Sequence, residues 1–253
     1  MLTAEKQKQA PVFFDDSTGE LTDAGVASLA KHRLGLKTRA ELANEPENPA
    51  RHFLIPGFVS SSLTYLYGQS KVGKSFVVAD ILASVLDGKP FLGRKPLKTV
   101  GGAVIFTTDP GDDYAYADRL TDLGVAPDDR VLLVPVGINP KPERLAEVAN
   151  FFANGDYGFA VFDNATGLIP ADQNINAREP WISLRRFLGS LGVPVLLVGH
   201  SICDTLAKKF APTVIQVIKS EGESFSNPSR IVEIHNNIGE PRSRHPYILP
   251  FED

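Results

Sequence analysis

Apolar positions fall into two periods along the chain, and their order predicts an architecture. Short runs rich in Val, Ile, Leu, Phe and Tyr recur from Leu63 onward. They are Leu63–Tyr67, Ala103–Thr107, Val131–Val136, Phe159–Phe162 and Val193–Val198. Each is too short for a helix, is bounded by polar or turn-forming residues, and reads as a buried strand. Between them lie stretches with helical spacing: Phe76–Leu86, stopped by Asp87-Gly88, then Tyr114–Leu123, Glu143–Phe152 and Pro180–Leu191. The tail changes character. Val214–Ile218, Arg230–Ile234 and Tyr247–Leu249 read as strands separated by polar turns. Strand–helix alternation followed by strands alone predicts an α/β fold: a mostly parallel sheet, helices on both faces, and an antiparallel C-terminal extension.

The first fifty residues follow a different pattern. Residues 1–20 are polar. Thr22–Leu34 has the spacing of a short amphipathic helix, with Thr22 or Asp23 as its cap. Residues 36–50, with Asn, Glu and Pro, read as a solvated linker. The expected division is residues 1–50 as N-terminal helix and linker, and residues 51–253 as the main domain.

The strand Leu63–Tyr67 and the helix beginning at Phe76 are joined by Gly68-Gln69-Ser70-Lys71-Val72-Gly73-Lys74-Ser75. This is a complete G-x-x-x-x-G-K-S phosphate-binding loop. Glycines at its fixed positions allow backbone turns that a side chain blocks, and the loop N–H groups cradle α- and β-phosphates. Lys74 places a cation by the β- and γ-phosphates, and Ser75 offers a hydroxyl to Mg²⁺. A strand before and a helix N-terminus after supply the orphan N–H groups and dipole of an anion site.

Ligands of such sheets bind at the carboxyl ends of the strands, so the polar residue closing each run gains weight. Asp163 closes Phe159–Phe162 and is placed to organise Mg²⁺ beside the Ser75 hydroxyl. Asp109 closes the strand at Ala103–Thr108 and is a candidate base for orienting a water, although Asp109-Pro110-Gly111-Asp112 is equally ordinary turn chemistry. His200 closes Val195–Gly199, where a polar group can sense a γ-phosphate and pass its loss to the loop Ser201–Phe210. Within that loop, Lys208-Lys209 is the local candidate for contact with DNA, against the alternative of a solvated basic pair.

Composition narrows the setting. The chain has 253 residues, 43% hydrophobic and 22% charged, which suits one domain with a large core. A net charge of −4 gives no global basic field for nucleic acid, so any DNA contact must be local. The single cysteine, Cys203, forms no internal disulfide and suits a reducing cytoplasm. No apolar run approaches the ~18 residues of a membrane span.

Gly68–Ser75, Phe159–Asp163 and Gly199-His200-Ser201 together resemble the RecA-like P-loop ATPases. The likeness is to the branch typified by the plasmid replicative helicase RepA and related AAA-type phage and bacterial proteins, and it covers roughly residues 54–250. Gly68–Ser75 resembles its Walker A motif, Phe159–Asp163 its Walker B motif, and Gly199-His200-Ser201 its strand-end sensor. The resemblance implies Mg-ATP hydrolysis, a homo-oligomeric ring or filament with sites between subunits, and motor work on DNA, single-stranded above all. A slow, ATP-dependent regulatory or assembly module and a RecA-like recombinase or mediator are the alternatives. Two departures matter. Where the family carries a catalytic glutamate, this chain has Thr107-Thr108-Asp109-Pro110, so that either Asp109 is a shortened replacement or Thr108 takes the position and no base is present. Where the family carries a Lys-x-Arg pair, this chain has Ile234-His235-Asn236-Asn237, leaving Arg242 or Arg244 of the following turn as substitutes.

Overall fold

A computed structural model describes Thr22 and residues 38–43, 52–138, 140–174, 177–200, 210–220, 229–237 and 242–249. The chain divides into two units, Met1–Asn48 and Pro49–Asp253. In the first, the stretch expected as linker contains a short helix, α1 (Arg39–Ala43). Thr38 and Glu41 build its start reciprocally. The Glu41 N–H donates to Thr38 Oγ1 at 3.1 Å, and the Thr38 N–H donates to Glu41 Oε2 at 2.6 Å. This is a capping box, whose T-x-x-E signature outweighs the polar character of the segment. Beyond Thr22, the helix expected at 22–34 lies outside the described residues.

The second unit opens with a small hairpin, β1 (Phe53–Ile55) and β2 (Val59–Ser60). Its main chain then runs β3 (Leu63–Tyr67), α2 (Lys74–Asp87), β4 (Ala103–Thr107), α3 (Asp112–Asp122), β5 (Val131–Pro135), α4 (Pro142–Asn154), β6 (Phe159–Asp163), α5 (Arg178–Ser190), β7 (Val195–Gly199), β8 (Thr213–Lys219), β9 (Ser229–Asn236) and β10 (Arg242–Ile248). One eight-stranded sheet holds them in the order β10-β9-β8-β3-β7-β6-β4-β5. Strands β8 through β5 in that order are mutually parallel, and β9 and β10 add antiparallel. The fold is the RecA-like α/β core that the motifs imply.

Alternation along the strands sorts two cores. Leu66, Val161 and Val198 face the side covered by α2 and α3, together with Ile81, Tyr116 and Leu120. Tyr65, Phe162 and Leu197 face the other side, with Phe152 of α4 and Trp181 and Leu188 of α5. Burial on both faces is why the parallel strands read as continuous apolar runs. Strand β10 is longer than expected and begins at Arg242, so Arg242 and Arg244 lie on a strand rather than in a turn. Pro246 is tolerated there because β10 is the edge of the sheet.

Candidate functional site at the strand carboxyl ends

Register brings the separate motifs to one edge. Tyr67 pairs with Gly199, Val198 with Asp163, and Asp163 with Thr107. The phosphate loop, His200, Asp163 and Thr108-Asp109 therefore leave four neighbouring strands at the same level, with strands spaced about 4.8 Å apart. Strand β7 lies between the loop strand β3 and the Asp163 strand β6.

The loop is held by close packing. A Cβ at Gly68 would lie 2.6 Å from the carbonyl oxygen of Val217 on β8, so glycine there permits a close backbone approach. Gly73 has φ +96° and caps α2, and a Cβ on it would meet Leu249 at 2.6 Å. Lys71 also has a left-handed φ of +59°. Two such residues within three positions turn the chain sharply, the geometry that gathers N–H groups into an anion nest. Val72 is buried in the core, while Gln69, Ser70 and Lys71 are exposed. Behind the loop, the buried Arg230 of β9 donates from Nε to the Val72 carbonyl at 2.8 Å. Between the loop and the end of β8 lies a cleft of about 310 Å³ lined by Gly68, Gln69, Gln216 and Lys219. Tyr67 donates its hydroxyl to Gln216 Oε1 at 2.7 Å on that side.

Lys74 Nζ donates to the carbonyls of Gly68 at 3.1 Å and Gln69 at 3.0 Å. Burial lowers its pKa, opposed by the nearby Asp163 carboxylate. Asp163 accepts a 2.7 Å hydrogen bond at Oδ2 from the buried Tyr116 of α3. Its pKa is raised to about 6, first by desolvation. Asp112 and Asp109 add to the rise, and Tyr116 and Lys74 oppose it. Asp112, in the first turn of α3, is also pushed up, by burial and then by Asp109. His200 is held below its ordinary value by burial and by the Lys74 cation, against Asp109. The imidazole is thus neutral at pH 7, and the site gathers three carboxylates against one lysine.

Asp109 is exposed two residues beyond the end of β4, with Oδ2 accepting from Asn164 Nδ2 at 3.2 Å. Thr108 is occupied structurally. Its N–H donates to the Asp163 carbonyl at 2.7 Å, its Oγ1 accepts from the Asn164 N–H at 3.0 Å, and it packs against Gly167. Of the two registers open from the sequence, the one offering a carboxylate to the site is Asp109. Arg242 and Arg244 are both ion-paired with the buried Glu233 of β9, which also lies 3.4 Å from His235 Nε2. Lys208 and Lys209 lie outside the described residues. Tyr116, Arg230 and Leu249 carry no sequence signal that points to the site, because each arrives from another element by tertiary packing. The T-x-x-E type of local signal has no counterpart for them.

Residues 30–203 match the family model described as an AAA domain. The chain belongs to that family. The matched span includes the phosphate loop, Asp109, Asp163 and His200, and stops before β8. An AAA domain with this loop and sheet is a nucleotide-binding ATPase domain. No curated protein matches the chain. Among the described residues of this AAA domain protein, no helix is long and apolar enough to cross a membrane.

Proposed function

We propose that the protein is a Mg-ATP-hydrolysing motor of the RepA-like helicase type, acting on DNA as a homo-oligomer. The observation that carries the ATPase chemistry is the convergence of Lys74, Ser75, Asp163, Asp109 and His200 at four adjacent strand ends. In this reading the amides of Gly68–Ser75 and the Lys74 cation bind the phosphates. For that, the Lys74 ammonium exchanges its two loop carbonyls for phosphate oxygens, a gain in charge complementarity.

Mg²⁺ fits the donor set in a specific way. Among the described residues no three His, Cys, Asp or Glu side chains are grouped to chelate a metal on their own. One or two carboxylates, a hydroxyl and substrate phosphates are what Mg²⁺ ordinarily uses. Asp163 and Ser75 supply the protein share, and the excess negative charge at the site favours a divalent cation. When bound, Mg²⁺ offsets the charge developing on the phosphates. Asp109 orients and polarises the water, held by Asn164. Neutral His200, beside Lys74 and Asp109, transmits loss of the γ-phosphate into the following loop.

The DNA role rests on the resemblance of the core to RepA-type helicases, with Lys208-Lys209 as the contacting segment. A slow regulatory or assembly module is favoured by one observation. Arg242 and Arg244 are both engaged with Glu233 within their own chain, so neither is free to complete a neighbour's site without breaking that pair. Turnover of ATP, measured with and without single-stranded DNA on protein of known oligomeric state, separates the two. A motor is stimulated by DNA; a regulatory module turns over slowly and indifferently.

A further inference from the structure

Tyr116 lies on α3, is 1% exposed, and packs in the core shared by α2 and α3. Its hydroxyl ends on Asp163 Oδ2, 2.7 Å away. Asp163 Oδ1 has no hydrogen-bond partner among the described residues. The two oxygens of this carboxylate are therefore unlike: one is fixed by a neutral donor, the other is available. The tyrosine is itself held in place. Arg119, one turn along α3, lays its guanidinium 4.8 Å from the Phe76 ring centroid on α2 and 6.0 Å from the Tyr116 ring, and donates to the Ala115 carbonyl at 2.8 Å. Phe76 directly follows Ser75. The helix carrying the phosphate loop and the carboxylate of β6 are thus linked through α3.

We propose that Tyr116 is a positioning residue: by donating to Oδ2 it fixes the rotation of the Asp163 carboxylate and leaves Oδ1 as the oxygen offered to a divalent cation. This rests on the assignment of Asp163 to Mg²⁺ made above. Hydrogen-bond partners of metal-binding groups fix their orientation, and losing one typically costs about 10–100-fold in metal affinity. A phenol suits the task in this acidic corner because it donates without adding charge. An arginine or lysine there would compete with the cation for the carboxylate.

The test is a Mg²⁺ titration of the binding of a fluorescent, non-hydrolysable ATP analogue to the full chain. Wild type, Tyr116→Phe, Asp163→Asn and the double variant are compared, with thermal unfolding of each. Tyr116→Phe is expected to raise the half-saturating Mg²⁺ about tenfold, the lower end of that range, and to leave Mg²⁺-free affinity for the analogue unchanged. In the Asp163→Asn background it is expected to change nothing further, since it acts through that carboxylate. Tyr116→Met, which fills the volume without a hydroxyl, gives the same shift and stands in if the phenylalanine variant does not fold. An unchanged Mg²⁺ requirement, an equal loss of Mg²⁺-free affinity, or an additive effect on Asp163→Asn overturns the proposal. Wild type that binds the analogue without regard to Mg²⁺ overturns the Asp163 assignment and this inference with it, whereas wild type that binds none overturns the nucleotide site itself.

Discussion

Lys74 donates to the carbonyls of Gly68 and Gln69, neutral acceptors that a triphosphate outcompetes. Lys74→Ala is therefore expected to keep the fold and lose tight nucleotide binding, with affinity for Mg-ATP falling at least about tenfold by calorimetry, the worth of one charge-assisted hydrogen bond. Asp109 is different in kind: it is exposed, held by Asn164, and touches no core. Asp109→Asn is expected to leave ATP binding nearly intact and lower turnover by about 10²-fold, the usual worth of a positioned base. Asp109→Glu restores the longer carboxylate and is expected to speed turnover; an asparagine variant with wild-type turnover would reduce Asp109 to a turn residue. Asp163 bears on stability. Its pKa is about 6 in the native state against an ordinary 3.8, so the native state binds the proton more tightly. Stability from this group is gained as pH falls through about 6 and lost as pH rises through it. Above that, the buried charge costs on the order of 3 kcal/mol. Asp163→Asn is expected to raise the melting temperature in EDTA at pH 7.5, with the gain shrinking as pH approaches 4. The same substitution weakens Mg²⁺-dependent binding, so stability and function move in opposite directions at one residue.

At the scale of elements, what could be read from the chain follows burial. Strands β3, β4, β6 and β7 are covered on both faces, so their sequences are nearly all apolar and visible as runs, and the motif residues closing them were visible too. Strand β10 reads Arg242-Ser243-Arg244-His245-Pro246-Tyr247-Ile248, with exposed and half-buried positions alternating until Tyr247. An edge strand needs no apolar face, and its pairing with β9 is set by the backbone and by Glu233 beneath the arginines. The β1–β2 hairpin is too short for periodicity to register. Cross-element contacts such as Tyr116 with Asp163 leave no local trace. The end of β10 has a structural task that its sequence conceals. Leu249 packs on Gly73, and the buried Tyr247 donates to Asp80 Oδ2 of α2 at 2.5 Å. Burial raises the Asp80 pKa, and the Tyr247 hydrogen bond opposes that rise. Tyr247→Phe removes the donor and leaves a partly buried carboxylate without it. It is expected to cost about 1–3 kcal/mol by denaturant unfolding at pH 7.5. Because α2 carries the phosphate loop, nucleotide affinity is expected to fall with it; full affinity in a destabilised variant would show that β10 supports the core and not the loop.

On the scale of the whole molecule, the family match and the compact unit do not coincide. The AAA match ends at residue 203, yet the loop inside it is braced by Arg230, Val217 and Leu249 from beyond that limit. The C-terminal strands are thus part of the nucleotide-binding body, and a chain cut after the matched span loses the brace. The opposite holds at the other end. Every described site residue, both hydrophobic cores and the full eight-stranded sheet lie within Pro49–Asp253. A fragment of residues 49–253 is therefore expected to unfold in one cooperative transition and to bind Mg-ATP within about twofold of the full chain, since none of the loop's described contacts is removed. Assembly and DNA response are separate questions, because a chain of net charge −4 needs several copies of a local basic segment to hold a polyanion. If residues 1–48 join subunits, the fragment keeps nucleotide affinity and basal turnover but loses both the high-mass species in light scattering with Mg-ATP and any stimulation by single-stranded DNA. A fragment that assembles and responds like the full chain places the subunit contacts within Pro49–Asp253 instead. A fragment that loses nucleotide affinity would show that the first unit takes part in the site.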